Sequence, residues 1–354
     1  MKKILLPALL AIVLFSCKKD DNLPPVEIPV PDFGLLVLNE GFYGHSNTSS
    51  ITLYDFETES VSEECVFFSK NQRRLGDVPN DILVYGGKIY ISVGISSTIE
   101  ITDLELNSIK QISLDGSSIN AEEPKGLAAH NGKIYIVCYD GKLARLDTST
   151  LTIAPNDIIQ VGKNPENVAI SNGFAYVTNS GGMDFPNYDN TVSVVNLATF
   201  TEVEKIEVDV NPFAIHADET GHIIVSCLGN YSTIPASLHR INTTTNTYDK
   251  KFEGVTPADF AMKGNLAYYH DFNWFTFEGH YAEFNTTTET KRNLLSKSDM
   301  DEILIPYAIN VNRENGDIYA SCSVTEKAFI IDSNGIRTEF KTGAMPKKIV
   351  VLKK

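Results

Sequence analysis

The chain has 354 residues, of which 42% are hydrophobic and 21% charged, a composition typical of a folded globular protein. Its formal net charge is −15, with 45 acidic residues against 30 lysines and arginines. This excess of carboxylates argues against nucleic-acid binding, which depends on cationic contacts to phosphate. The length allows two domains, but a propeller or barrel of this size also forms a single domain.

Residues 1–16 have the layout of a signal peptide. Lys2 and Lys3 precede an apolar stretch, 4–15, that is too short to span a membrane. The ending "LFSC" at Cys17 resembles a bacterial lipobox, which implies cleavage before Cys17 and lipidation of its thiol. The following "KKDD" resembles the export signal of surface lipoproteins in Bacteroidetes. The alternative is an ordinary secretory signal with a chance cysteine.

Residues 17–32 are predicted to be a tether that begins at the lipidated Cys17. The stretch "NLPPVEIPVPDFG" contains four prolines, which favour an extended and semi-rigid chain. We therefore expect a protein held on the outer membrane, and exposed on the cell surface, through its lipid alone. Residues 33–354 would form the folded domain.

A repeated unit fills this domain. Each copy has a proline, a short apolar stretch, a turn that usually contains glycine, and a second apolar strand such as "KIYISV". The copies begin 40 to 49 residues apart, at Pro79, Pro124, Pro165, Pro212, Pro257, Pro306 and Pro346. Four short strands at this period predict one blade of a β-propeller.

The copy at Pro346 supplies only one strand before the sequence ends. The three missing strands are predicted near the start of the domain, at 34–40, 50–55 and 61–68. The fold class is therefore all-β, a seven-bladed β-propeller whose closing blade is built from both termini, which removes free sheet edges. The motif "YVTN" at 176–179 and the repeat around it resemble the YncE-like, or YVTN, seven-bladed propellers. That resemblance implies the fold and says little about function.

The loops of the predicted blades sort into two faces. Loops between second and third strands share one face with the links between blades, and these are long: 41–49, 139–142, 180–190, 228–236 and about 271–279, with links at 115–125 and 297–306. The opposite face has short turns such as "YGGK" and "HNGK". Long loops on one side only indicate a binding face.

Aromatic side chains concentrate on the long loops, and we predict that they line a ligand site together with residues after the repeat prolines. The predicted ligand-binding residues are Phe42, Tyr43, Asn80, Tyr139, Phe185, Tyr188, Tyr231, Trp274, Phe275 and Tyr307. Lys125 and Lys347 are expected at the channel entrance, where an ammonium group can meet a ligand phosphate. The alternative is that the rings pack between blades as loop core.

Motifs for catalysis or metal binding are not found in the sequence. Zinc spacing, a nucleophile elbow, a phosphate loop and a dinucleotide fingerprint are missing. We expect no enzyme activity, no catalytic residue, no metal and no resident cofactor. The alternatives are a metal at His45 and His270, calcium on acidic loop residues, or a propeller enzyme such as a lyase or quinoprotein.

Three cysteines occupy the same position in alternate repeats. Cys138, Cys227 and Cys322 each end a predicted second strand. Because alternate blades are far apart in a ring, we expect these thiols to be small buried residues that do not pair with one another. Cys65 has no evident partner in the sequence, and we predict no disulfide in this protein.

The combination of a surface-lipoprotein signal, one YncE-like propeller and an aromatic, amide-rich face resembles the BtuG family. That resemblance implies a lipoprotein that captures cobalamin (vitamin B12) or another corrinoid and hands it to a TonB-dependent outer-membrane transporter. Cobalamin would be a ligand and not a cofactor. The alternative is a glycan- or protein-binding propeller lipoprotein without corrinoid specificity, because aromatic rims also stack on sugars and contact partner loops.

Overall fold

A computed structural model describes residues 33–63, 65–116, 119–273 and 276–353 of this chain. These residues form seven four-stranded antiparallel sheets, which confirms the predicted seven-bladed all-β propeller. The innermost strands of neighbouring sheets contact one another all the way round, so the sheets close into a ring. Cys17 and the predicted signal and tether lie outside the described residues. Within the described residues no helix is long and apolar enough to cross a lipid bilayer.

The elements follow in chain order, and blades 1 to 6 are numbered from the first complete repeat. The chain opens with β1 (Phe33–Asn39), β2 (Ser50–Asp55), β3 (Ser60–Glu63) and α1 (Val66–Asn71). Blade 1 contains β4 (Pro79–Tyr85), β5 (Lys88–Val93), β6 (Thr98–Thr102) and β7 (Ser108–Ser113). Blade 2 contains β8 (Pro124–His130), β9 (Lys133–Cys138), β10 (Lys142–Asp147) and β11 (Thr152–Gln160). Blade 3 contains β12 (Pro165–Ser171), β13 (Phe174–Asn179), β14 (Thr191–Asn196) and β15 (Thr201–Glu207).

Blade 4 contains β16 (Pro212–Ala217), β17 (Ile223–Cys227), β18 (Ser237–Asn242) and β19 (Thr247–Phe252). Blade 5 contains β20 (Asp259–Lys263), β21 (Leu266–Asn273), β22 (Glu278–Asn285) and β23 (Lys291–Asn293). Helix α2 (Lys297–Ile303) leads to blade 6, which contains β24 (Pro306–Val311), β25 (Ile318–Cys322), β26 (Lys327–Asp332) and β27 (Gly335–Lys341). The last strand is β28 (Pro346–Lys353).

The closing blade joins the two ends of the described chain. Strand β28 is its innermost strand and pairs antiparallel with β1, with Leu35 opposite Val351 and Val37 opposite Ile349. Strands β2 and β3 complete the sheet. The predicted closure from both termini is therefore confirmed.

The hydrophobic core lies between blades. The second strand of each blade is covered on both sides by neighbouring blades, so successive side chains enter different interfaces. In β5, Ile89 and Ile91 pack toward the closing blade, whereas Tyr90 packs toward blade 2. This double burial explains why runs such as "KIYISV" are apolar throughout. Outermost strands face solvent, and six of the seven side chains of β15 are exposed.

Two local predictions are wrong. The stretch 61–68 was predicted as one strand, but the strand there, β3, covers only residues 60–63. Val66 and Phe67 belong instead to helix α1 and are buried against the closing blade. The predicted loop 271–279 is mostly strand, since β21 and β22 run on to Asn273 and Glu278. The predicted link 297–306 does join blades 5 and 6, and it contains α2, whose first turn is closed by a capping box between Ser296 and Asp299.

The cysteine prediction is confirmed for the three repeat positions, but the expectation of no disulfide is wrong, because Cys65 is disulfide-bonded. Cys138, Cys227 and Cys322 are buried free thiols in three different interblade clusters.

The central channel contains a cluster of charges from three inner strands. Lys348 on β28 lies with Nζ 3.7 Å from Oδ1 of Asp81 on β4, and this carboxylate and that of Asp259 raise the pKa of Lys348. The other Asp81 oxygen accepts a hydrogen bond of 2.9 Å from the backbone N–H of Leu127. Burial raises the pKa of Asp259. The C-terminal strand is thus tied electrostatically to two other blades.

Replacing Lys348 with methionine leaves Asp81 and Asp259 without their cation inside the channel. We expect Lys348→Met to lower the free energy of unfolding by about 2 kcal/mol, since removing one partner of an enclosed ion pair leaves uncompensated charge. The matched control is Lys353→Met, which removes an exposed partner of Glu314 from the same strand and should cost less than about 0.5 kcal/mol. Urea denaturation at pH 7 measures both, and equal losses would contradict this role for Lys348.

The buried His270 makes stability depend on pH. Burial lowers its pKa from 6.5 to about 4, so the folded protein keeps a neutral imidazole where the unfolded chain takes up a proton. The free energy of unfolding should therefore fall as the pH drops from 6.5 to 4, by on the order of 3 kcal/mol from this group. In His270→Phe the dependence of the free energy of unfolding on pH should be shallower by that amount. Denaturation curves at several pH values test this expectation.

Candidate functional site

The two faces of the ring differ in their loops, as the repeat phase predicts. The loop between strands one and two of blade 1 is the pair Gly86 and Gly87, and blade 2 uses Asn131 and Gly132; all four have positive φ, as tight hairpin turns require. The opposite face, called here the loop face, carries the loops between second and third strands and the links between blades. Loops of up to eleven residues lie there, such as 180–190 between β13 and β14.

Exposed apolar side chains are concentrated on the loop face. The described residues include 13 exposed large hydrophobic side chains, and three of these (Ile109, Val203 and Tyr248) lie on outermost strands. The other ten lie in loops and links of the loop face: Phe42, Tyr43, Ile95, Met183, Phe185, Tyr231, Ile234, Phe277, Leu304 and Val324. Such a concentration on one face marks an interaction surface.

Three of the predicted rings form one cluster above blades 3 and 4. Tyr188 contacts Phe185 at a centroid distance of 5.9 Å and Tyr231 at 6.3 Å, both edge-to-face at 73°. Phe185 is 71% exposed and Tyr231 is 59% exposed, whereas Tyr188 between them is half-buried. The rings therefore form a continuous apolar ledge that is open to solvent.

Short-range hydrogen bonds hold the two loops that carry this ledge. The Asp189 side chain accepts hydrogen bonds from the backbone N–H groups of Asn190 and Thr191, at 2.7 and 3.0 Å. The Asn230 side chain accepts from the backbone of Ser232 and Ile234, at 3.1 and 2.8 Å. These Asx turns fix the backbone of the two loops locally, so the positions of the rings do not depend on a hydrophobic core beneath the loops.

A polar network spans the inner strands at the same end of the ring. Lys347 Nζ lies 2.8 Å from Oε2 of Glu40 and 3.0 Å from the side-chain oxygen of Asn80. The Tyr307 hydroxyl donates to Glu40, and the Asn80 amide donates to the carbonyl of Pro124 at 3.0 Å. Glu40, the residue after β1, thus connects three residues that follow repeat prolines: Asn80 on β4, Tyr307 on β24 and Lys347 on β28.

Blades 2 and 3 continue this network. Lys125 Nζ lies 3.7 Å from Oε2 of Glu166 and 4.4 Å from the centre of the Tyr139 ring. Burial raises the pKa of Glu166, while Lys125 and then Lys347 oppose that rise. Burial also raises the pKa of Tyr139, with a further contribution from the Glu166 carboxylate. The Ser180 hydroxyl, at the start of the loop 180–190, donates to Oε1 of Glu166 at 3.4 Å, so the polar network adjoins the loop that carries Phe185 and Tyr188.

The structure brings the predicted site residues together in two groups. Phe185, Tyr188 and Tyr231 form the ledge, and Asn80, Tyr139 and Tyr307 belong to the polar network. Phe42 and Tyr43 lie exposed on the closing-blade loop, and within the described residues no ring contact joins them to the others. Trp274 and Phe275 lie outside the described residues. Of the two histidines considered as metal ligands, His270 is only 5% exposed and His45 lies on the surface.

Sequence reasoning missed two features of the loop face. Glu40, which links Tyr307 to Lys347, follows a strand that has no repeat proline, so the repeat alone does not point to it. A pocket of about 400 Å³ lies between the β21–β22 hairpin and α2. The Ser-x-x-Asp pattern at 296–299 could have indicated the helix, since it is typical of an N-terminal cap.

Comparisons with known proteins concern the fold. No model of a known protein family matches the sequence, and no curated protein matches it. Among solved structures, the chain is similar to hydrazine synthase from Kuenenia stuttgartiensis, with a TM-score of 0.65 and 13% identity over 78% of this chain and 95% of that one. It is also similar to a functionally unknown protein from Desulfotomaculum acetoxidans, with a TM-score of 0.63 and 12% identity over 91% and 99%. At these identities the similarity establishes the fold alone.

The ammonium of Lys125 is expected to limit the rise in the pKa of the Glu166 carboxyl that burial causes. In Lys125→Met the pKa of Glu166 should rise further, because burial then acts with less opposition. The control Lys142→Met removes an ammonium that pairs with Asp140 at 2.5 Å, and it should leave the pKa of Glu166 unchanged. Titration of ¹³C-labelled glutamate carboxyls, with the signal assigned by Glu166→Gln, measures the shift. An identical Glu166 pKa in the wild type and Lys125→Met would rule out this coupling.

Proposed function

We propose that this protein is a capture protein for a large amphipathic ligand, and that the ligand is a corrinoid such as cobalamin. The observation that carries the proposal is the pairing of an open aromatic ledge with a polar network at the mouth of the channel. Phe185, Tyr188 and Tyr231 supply flat apolar surface. Asn80 and Lys347 supply hydrogen-bonding groups within that network.

This arrangement suits the chemistry of a corrinoid. A corrin macrocycle has broad apolar surfaces and an edge of amide side chains, so it needs rings to cover the first and polar groups to pair with the second. Burial of about 300 Å² of ring surface would contribute about 7 kcal/mol before the cost of association. The Asx turns that hold the ledge reduce that cost, because little order has to be gained on binding.

The two lysines at the mouth give the site a place for a negative group. Lys125 and Lys347 are each paired with a glutamate, and both act on the same enclosed Glu166 carboxylate. A ligand phosphate that met either ammonium would compete with these carboxylates. We propose that this end of the site receives the phosphate of the corrinoid nucleotide tail.

The proposal extends to the location of the protein. A lipid on Cys17 and the proline-rich tether would hold the propeller at the outer membrane on the cell surface, where it would hand the corrinoid to a TonB-dependent transporter. The expected role is binding and not turnover. These statements rest on the leader sequence and on the BtuG resemblance.

Calorimetry of the purified protein with cyanocobalamin tests the corrinoid proposal. We expect tight binding that Tyr188→Ala weakens more than tenfold, because Tyr188 contacts both other rings of the ledge. The matched control is Tyr248→Ala, which removes an exposed ring from the outermost strand of blade 4 and should leave affinity unchanged.

Other outcomes would indicate a different site or a different ligand. Tight binding that survives Tyr188→Ala but is lost in Trp274→Ala would move the site to the β21–β22 hairpin. No binding of cyanocobalamin would reject the corrinoid as ligand, and saturable binding of soluble glycans would then favour the glycan-binding alternative.

A further inference from the structure

The pocket beside helix α2 is walled mainly by apolar side chains. Phe272 and Phe277 stand edge-to-face at 6.4 Å on the hairpin side. Leu295, Met300 and Val324 line it from the link, the helix and the blade 6 loop. A volume of about 400 Å³ lies in the range of small-molecule sites.

Most polar groups of the pocket already have partners. Lys297 pairs with Asp301 at 3.0 Å one helical turn away, so these two charges offset each other. The Ser296 hydroxyl belongs to the capping box of α2. Lys297, Asp301 and Ser296 together therefore add no net charge to the lining of the pocket.

Three side chains of the pocket keep groups that can bind a ligand: the Asn293 amide, which both donates and accepts, and two hydrogen-bond acceptors, Glu278 and His280. The Glu278 carboxylate makes no side-chain hydrogen bond or ion pair within the described part of the chain. His280 uses Nδ1 for the Asp271 carboxylate, at 2.8 Å, so Nε2 of the neutral ring is left as an acceptor. A ligand that satisfies both acceptors must donate hydrogen bonds.

Electrostatics favours a cation in the same place. Glu278 is the one lining charge without a counter-ion among the described residues, and the whole chain carries a formal charge of −15. A field of this sign attracts cationic ligands and repels anionic ones. The exposed ring of Phe277 adds a cation–π contribution for a charge that lies over its face.

We propose that this pocket binds an organic ammonium ion, a primary amine carried on an aromatic body. The ammonium meets Glu278 and His280 Nε2, and the aromatic body packs between the phenylalanines and the aliphatic wall. This site is separate from the ledge of Phe185, Tyr188 and Tyr231 and does not depend on corrinoid binding.

Three indole probes of equal ring size test the charge preference. Tryptamine is cationic, tryptophol is neutral and indole-3-acetate is anionic, and calorimetry of the full protein measures each. We expect tryptamine to bind at least tenfold more tightly than tryptophol, and indole-3-acetate to bind more weakly than either. Equal affinities for tryptamine and tryptophol would overturn the proposal.

Matched variants locate the binding. Glu278→Gln should remove the preference for tryptamine over tryptophol, while Glu302→Gln, an exposed position on α2 that does not line the pocket, should retain it. Val324→Trp should weaken tryptamine and tryptophol together by filling the pocket. Circular dichroism and thermal unfolding confirm that each variant is folded. Tryptamine binding that is unchanged in both Glu278→Gln and Val324→Trp would overturn the proposal as well.

Discussion

The propeller depends on burial of each blade against two neighbours at once. Alternate side chains of a strand enter different interfaces, as Ile134 and Tyr135 of β9 do, so no blade has a complete core of its own. Each of the seven core clusters is shared by two adjacent blades. Such a ring is stable only when it closes, so its stability depends on the pairing of β28 with β1.

Closure also builds the mouth of the channel. Lys347 and Lys348 sit side by side on β28 and, by the alternation of a strand, serve different partners. Lys347 contacts Glu40 and Asn80 in the polar network, whereas Lys348 contacts Asp81 within the channel. The strand that seals the ring therefore contributes both to its stability and to the site.

The loop face carries two regions of different chemistry. The ledge with its polar network combines flat rings with donors and ammonium groups, which suits a large ligand that has amides and a phosphate. The pocket beside α2 is smaller and presents acceptors from Glu278 and His280. The ring supports both on the same face because its long loops lie there, while the tight turns of the other face leave little room for side chains.

Local pattern and repeat period determine the fold in this sequence. Proline-started units at a regular spacing predicted seven blades and the split closing blade, since each strand is specified by its own apolar run and turn. The same phase predicted which loops share a face, with Tyr139 in one of them. It also placed Asn80 and Tyr307 near the channel, because residues after the repeat prolines occupy equivalent positions. Irregular insertions escaped this logic: α1 at Val66–Asn71 and the long hairpin through Asp271 and Phe272 occur once each.

Tertiary structure alone decided how the site residues combine. Tyr188 contacts Tyr231 from a different blade, and Tyr307 reaches Glu40 across 267 positions of sequence. No local pattern encodes such contacts, because they depend on the angle between blades and on the exact shape of each loop. The pocket beside α2 arises in the same way, from a hairpin of blade 5, a helix and a loop of blade 6 that meet only once the ring is assembled.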